Sequence, residues 1–375
     1  RVECGLIIGS RFKIIKKLSE GGCGFIYTAR DINAGILVAV KTAENGTDEG
    51  NILKIEASAL KRLEGRNNVA QIIAEGKKES FSYIVMTLLG SSISELKYKC
   101  KSFSSSTLIR ISIQLLNGIK EVHEVGFIHR DIKPDNICIG RKGGALKVIH
   151  LLDFGLCREY IITINGKATL REPRQSKVLF RGTPVFCSID AGNGKEQGRH
   201  DDLWSMMYVI ADLISLLPWR FLRTCREEIT KYKIETKDEH LFPGYPEFIE
   251  ITEYLRTLTY YTKPDYGKIF LVLKASYKTV LTSNGSLFSD PYDWEVKKVL
   301  EGSIEVDEPD SAYMSQSIQK SKSQKSAKKG CGTNTRTIFN FIRSKKINVS
   351  LLPEDLKILE NCYTLENFEN TNMNF

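Results

Sequence analysis

Residues 129–136 read HRDIKPDN, and this stretch limits the possible fold more than any other. A histidine, an arginine, two aspartates, a lysine, an asparagine and a proline stand together between the apolar flanks GFI and ICI. Taken singly, Asp131 and Asn136 would be turn formers. Two further clusters stand in fixed order around them. VAVK at 38–41 lies far upstream, after the glycine-bearing turn LSEGGCGFIY, and LDFG at 152–155 follows about one hairpin downstream. A lone D-F-G is weak, since roughly one random chain of this length in twenty would contain it. The ordered set is highly specific.

The remaining pattern says what could bring these clusters together. RFKIIKKL, GFIYTARD and ILVAVKTA are short runs rich in β-branched and aromatic residues, separated by Gly- and Asn-bearing breaks, and read as strands. NILKIEASALKRLEG reads as a helix with Ile52, Ile55, Ala59 and Leu63 on one face. QIIAEGKKESFSYIVMTLL reads as a hairpin. After GSSISEL the character changes: Ser106 is placed to cap a long helix to about Glu124, with Leu108, Ile111, Leu115 and Ile119 on one stripe. ALKVIHLLD is strand-like, the stretch from there to Asp202 is irregular, and DDLWSMMYVIADLISLLPW is apolar nearly all round, as a core helix would be. Helical patterns also occupy 245–282. From about Ser303 a Ser/Lys/Gln-rich composition predicts disorder, with a short helix in PEDLKILENCYTLENF.

Length and composition set outer bounds. With 375 residues and 42% apolar content, the chain can bury a full core. Its formal charge of +9 suits an anionic partner without choosing one. Nine dispersed cysteines with no C-x-x-C pair read as a reducing, intracellular setting. No run approaches the roughly 18 unbroken apolar residues of a membrane helix. No signal peptide is visible, and an opening on Arg1 rather than Met leaves the true N-terminus open.

The ordered motifs resemble the protein-kinase signature. That resemblance implies an α+β, two-lobed fold: a small β-rich N-lobe at about 5–90, a larger mainly helical C-lobe at about 91–302, and a tail at 303–375. It also implies ATP and Mg2+ as cofactors. Lys41 would be a fixed cation on the α- and β-phosphates, anchored by Glu56 on the following helix. Asn136 and Asp153 would supply the hard oxygen ligands that Mg2+ prefers. Asp131 would accept the proton of a substrate hydroxyl. Lys133 would stabilise charge on the transferring phosphoryl and favour serine or threonine over tyrosine. In the glycine-rich turn Leu18, Gly21, Gly22, Cys23, Gly24 and Ile26 would cover the nucleotide, although Ser19 stands where the signature has its first glycine.

Within the kinases, GSRFKIIKKLSEGGCGFIYTARD, IVMTLLGSSISEL, REPRQSKVLFRGTP, RHDDLWSMMYVIADLISLLPWR, YYTKPDYGKIF and DPYDWE together resemble the casein kinase 1 group, and in it the tau-tubulin kinase branch, over roughly 5–297. By that resemblance Met86 is the gatekeeper, Thr87, Leu88 and Leu89 form the hinge, and Ala39 lines the adenine pocket. The group lacks A-P-E after the activation segment, as does this chain, which has CSIDAG at 187–192. It usually carries an arginine after the Gly-Thr of that segment, where this chain has Val185. Thr183 is expected near Asp131 and Lys133, and Asp202 beneath the catalytic loop.

Arg158, Lys167, Arg171, Arg174, Lys177 and Arg181 then suggest a preference for acidic substrates. Cys23, Cys138 and Cys157 fall near the site; inert buried thiols are the ordinary reading, and only nearby cations would make them reactive. The implied partners are protein substrates with Ser or Thr acceptors. A monomer is expected, cytoplasmic with the nucleus as a second compartment, without membrane or nucleic-acid contact. Two alternatives remain: a catalytically weak pseudokinase or scaffold, and a nucleic-acid-binding protein acting through the basic run Lys320–Lys346.

Overall fold

The computed structural model describes residues 2–21, 24–222, 225–285, 289–296, 363 and 367–368. Strands β1 (Ile7–Ile8), β2 (Phe12–Gly21), β3 (Gly24–Asp31), β4 (Leu37–Glu44), β5 (Ile72–Lys77) and β6 (Phe81–Thr87) form one antiparallel sheet in the order β1-β2-β3-β4-β6-β5. The expected hairpin is the pair β5–β6. Side chains alternate across a strand, and here both faces find a core. Ala39, Ala43, Ile84 and Met86 pack toward helix α1 (Asp48–Arg62), while Val38, Val40, Tyr27 and Val85 fill a second cluster on the other face. Lys41 shares the α1 face with Ala39 and Ala43, so its alkyl stem runs through apolar surroundings to an interior charge.

α1 begins where Thr47 Oγ1 accepts the Gly50 N–H, with Asp48 and Glu49 in its first turn and Lys61 and Arg62 in its last, matching the helix dipole at both ends. The expected stripe is only partly right. Ala59 and Leu63 are buried, but Ile55 is 42% exposed, and the inward face is Leu53, Glu56, Ala57 and Leu60. A buried carboxylate with a lysine partner sets the helix rotation here, against the count of isoleucines.

The helical lobe begins with α2 (Ile93–Cys100) and α3 (Ser105–Glu124). Ser104, two residues ahead of the expected Ser106, caps α3 by accepting the Thr107 N–H. The predicted stripe on α3 is buried, but so is almost every residue from Ser106 to His123, because the helix packs against α5, α9 and β9 at once. Next come short antiparallel pairs: β7 (Phe127–Ile128) with β10 (Arg158–Glu159), and β8 (Ile137–Ile139) with β9 (Ile149–Leu151). The region read as irregular contains a hairpin, β11 (Ile161–Ile164) with β12 (Lys167–Leu170), and the short α4 (Ile189–Gly192). α5 (Arg199–Ile214) is the core helix, ending before the LLPW residues. α6 (Arg226–Glu235), α7 (Asp238–Leu241), α8 (Glu247–Arg256) and α9 (Tyr266–Asn284) complete the lobe. The two-lobed α+β architecture expected from the sequence is thus the one observed.

Among the described residues no helix is long and apolar enough to cross a membrane. Gly22, Cys23, the basic run and most of the expected C-terminal helix lie outside the described residues; Tyr363, Asn367 and Phe368 are described.

Candidate active site

The two lobes meet at a buried ammonium. β4 carries Lys41 and α1 carries Glu56, and Lys41 Nζ lies 2.6 Å from Glu56 Oε2. The same Nζ lies 2.9 Å from Asp153 Oδ1, from the far side of the cleft. Burial works against the Lys41 charge, but the Glu56 and Asp153 carboxylates more than offset it and raise its pKa. Burial likewise works against Asp153, yet the lysine holds its carboxyl below the usual range. At fully buried Glu56 desolvation wins and pushes the carboxyl up despite Lys41. The ends of that pair pull in opposite senses. The ion pair is the stronger reading, because Lys41 meets two carboxylates and satisfies both only while charged.

Asp153 reaches this position through a left-handed backbone, φ 61° and ψ 75°. A non-glycine residue there costs about 1 kcal/mol or more. The neighbouring packing holds it: Phe154 is fully buried in the core and its ring lies 5.0 Å from that of His129. Arg130, in the other loop, is also left-handed, at φ 69°. Buried Asp202 of α5 fixes that turn by accepting the backbone N–H groups of His129 at 2.6 Å and Arg130 at 2.8 Å. His123 Nε2 lies 2.9 Å from the same carboxylate, and burial keeps the His123 pKa low. Asp202 thus braces the loop from the buried helix, at the place expected of it.

Within HRDIKPDN the Lys133 and Asn136 side chains converge on Asp131, joined by Thr183. Lys133 Nζ donates to Asp131 Oδ2 at 2.7 Å and to Thr183 Oγ1 at 3.2 Å, while the Thr183 hydroxyl donates to Asp131 Oδ1 at 2.6 Å. Pro134 opens a single tight turn that swings Asn136 back, so that its Nδ2 donates to Asp131 O at 2.9 Å and Oδ2 at 3.2 Å. With its NH2 so engaged, Asn136 presents its amide oxygen as the remaining ligand atom. Two oxygen donors, this amide and the ionised Asp153 carboxylate, are the chemistry a hard cation such as Mg2+ requires.

The residues expected around a nucleotide fall on the sheet above. Ala39 and Met86 are register partners across β4–β6, and Lys41 pairs with Ile26 across β3–β4. Leu18 is 46% exposed on β2. Thr87 leads out of β6, its N–H donating to Gln71 O at 2.9 Å, and Leu88 and Leu89 pack on the core below. The two described glycines of the turn differ. A Cβ on Gly24, at φ 106°, would meet Thr42 O at 2.2 Å, so strand packing requires that glycine. A Cβ on Gly21 would meet nothing within 4 Å, which leaves open space against the turn's backbone.

The ordinary reading of Cys138 and Cys157 as buried, inert thiols agrees with the structure, and two of the basic residues are engaged. Burial pushes the Cys138 and Cys157 thiols up to about 12, so nearby cations do not activate them. Of the six cations in the activation segment, Arg158 and Arg174 are engaged by the buried carboxylate of Glu196. Glu196 went unremarked in the sequence; an acid beside a basic loop was the available signal. A separate cavity of about 590 Å3 lies behind α1, lined by residues such as Ala57, Lys61, Glu75 and Tyr83, and shares none of the groups above.

A two-lobed fold whose cleft joins a lysine–glutamate pair to an aspartate-centred loop defines a phosphoryl-transfer class. The sequence matches the protein kinase domain family over residues 12–258. A serine/threonine-protein kinase of Caenorhabditis elegans is 40% identical over 301 residues, spanning 79% of this chain and 85% of the relative. Another, from Dictyostelium discoideum, is 32% identical over 297 residues, which is 78% of this chain but 58% of the relative. The chain belongs to the protein kinase family, with serine/threonine-protein kinases as its relatives. Members of that family use ATP and Mg2+ and act on proteins.

Proposed function

We propose that this protein transfers the γ-phosphate of ATP to serine and threonine hydroxyls of protein substrates. The observation that carries the proposal is the convergence of Lys41, Glu56 and Asp153 with the Asp131–Lys133–Thr183–Asn136 network on one cleft. Asn136 and Asp153 would hold Mg2+, which when bound neutralises phosphate charge. Lys41, kept cationic by two carboxylates, would orient the phosphates. Asp131 would take the proton of the acceptor hydroxyl, and its three side-chain donors, Lys133, Thr183 and Asn136, fix the direction of its oxygens. Lys133 would also face the charge that develops on the moving phosphoryl. No charged catalytic position of the signature is replaced, which weighs against a turnover-free scaffold.

The quoted stretches, together with CSIDAG in place of A-P-E, support placing the enzyme in the casein kinase 1 group near the tau-tubulin kinases. Lys167, Lys177 and Arg181 remain after Glu196 engages its two arginines and Arg171 Nε donates to Glu159 O at 2.8 Å, and they support a preference for acidic residues in the substrate. Val185 makes a strict requirement for a priming phosphate unexpected. Phosphate transfer to serine, threonine and tyrosine peptide libraries, with Asp153→Asn as control, tests the reading. It expects labelled Ser and Thr peptides, enriched in flanking acids, and no label with the variant. Material that labels no hydroxyl would overturn it.

A further inference from the structure

The last described residues return to the body of the helical lobe. Phe368 is 2% exposed and stacks on Phe270 of α9, with ring centroids 4.3 Å and planes 15° apart. Five positions earlier Tyr363 is half-buried, and its hydroxyl donates to Asn68 Oδ1 at 3.3 Å.

Asn68 lies in the loop between α1 and β5 and is 1% exposed. It fastens that loop to α3. Its backbone N–H donates to Glu121 Oε2 at 3.3 Å, its Nδ2 to Gln114 Oε1 and to Ile149 O, and its Oδ1 accepts from Asn117 Nδ2 at 2.9 Å. Gly118 makes the approach possible, since a Cβ there would meet Asn68 O at 2.9 Å. The loop is therefore bolted to the centre of the helical lobe, and α1, with Glu56, leads into it. Tyr363 adds a second donor at Asn68 Oδ1, and the buried Phe368 ring holds the tyrosine's end of the chain in place.

We propose that the segment carrying Tyr363 and Phe368 is an intramolecular strap that positions α1 for catalysis. It steadies the Asn68 loop against α3 and so favours the closed Lys41–Glu56 pair. The strap is docked while that pair and the Lys41–Asp153 contact are both made, and it docks through Tyr363 on Asn68 and Phe368 on Phe270. That coexistence makes it a support of the active arrangement and not a plug. The catalytic part of this inference rests on the proposed kinase activity; the docking part does not.

The test compares full-length protein with Phe368→Ala, Tyr363→Phe and a chain ending after Ile358. Hydrogen exchange over residues 48–70 reads the strap without reference to turnover. The strap account expects faster exchange there in all three variants. It also expects a kcat lowered at least about threefold in Phe368→Ala and in the truncated chain, with little change in peptide KM, as for loss of a positioning contact. A peptide of residues 355–375 added in trans should restore exchange protection and kcat to the truncated chain, and the same peptide bearing Phe368→Ala should not. Should Phe368→Ala fail to fold, Tyr363→Phe, which keeps the ring, carries the exchange measurement alone. Unchanged exchange over 48–70 in these variants overturns the strap. Slower exchange or a raised kcat on truncation overturns the positioning role and marks the segment as inhibitory. If no form transfers phosphate, the exchange result still decides docking, and the failure falls on the proposed function.

Discussion

The two halves of the cleft hold their polar groups by different means. On the α1 side, order depends on charge: one buried ammonium joins Glu56 of α1 to Asp153 of the opposite lobe. On the catalytic-loop side, order depends mostly on backbone N–H groups and neutral side chains, with the single ion pair Lys133–Asp131 added to them. Asp202 is buried under the turn, two peptide N–H groups point at it, and Thr183 and Asn136 aim the Asp131 carboxylate. A charge link between elements that can separate is suited to switching, whereas a braced turn is suited to precision. The left-handed residues Arg130 and Asp153 each stand in one of these halves, so strain is stored where the packing can hold it.

Substitutions can break this contrast in order of expected effect. Asp131→Asn keeps the shape of the braced half and removes its base; kcat should fall by about 10²–10⁴, with the melting temperature nearly unchanged. Asp202→Ala attacks the brace itself. It leaves the His129 and Arg130 N–H groups and His123 without their acceptor, and denaturant titration should show a loss of about 3 kcal/mol together with falling activity. Glu56→Gln cuts the charged half only. Lys41 keeps Asp153, so the fold should lose about 1 kcal/mol, while steady-state kinetics show kcat reduced roughly tenfold or more. Equal stability losses in Asp202→Ala and Glu56→Gln would erase the distinction drawn here.

The smallest effect concerns another buried cation, under the activation segment. Lys233 Nζ donates to Pro184 O and Cys187 O, each at 2.6 Å, and among the described residues it has no carboxylate partner. Burial lowers its pKa to about 8 from 10.5. Between those values the unfolded chain binds more protons than the folded one, so stability rises with pH across that window and is flat below it. Unfolding free energies from urea titrations at pH 7.5 and 9.5 should therefore increase more for the parent protein than for Lys233→Met, by about 1–2 kcal/mol. An equal change in both would assign the lysine an ordinary pKa.

Much of the site is legible in the sequence, because its chemistry is written in local residue types. HRDIKPDN is a contiguous turn, so Asp131, Lys133 and Asn136 share a neighbourhood by covalent geometry, and resemblance brought in Lys41, Glu56 and Asp153. The strands of the N-lobe were legible from β-branched runs. What stayed hidden depends on contacts distant in sequence. Glu56 faces inward because Lys41 is there, which turned Ile55 to solvent; no count of apolar residues contains that information. Ser104 rather than Ser106 caps α3, since both serines have the right chemistry and packing chooses between them. Glu196 and Asn68 escaped notice because an acid beside a basic loop and an asparagine before a strand are ordinary until their partners are seen.

Equilibrium titration of ATP into the protein, with and without Mg2+, tests the central claim most directly when the parent is compared with Lys41→Met and Asp153→Asn. If the lysine, the aspartate and the loop asparagine surround one metal-bound triphosphate, Mg2+ should tighten binding to the parent, Asp153→Asn should lose that tightening, and Lys41→Met should weaken binding in either condition. Identical affinities with and without Mg2+, unaffected by both substitutions, would contradict the account.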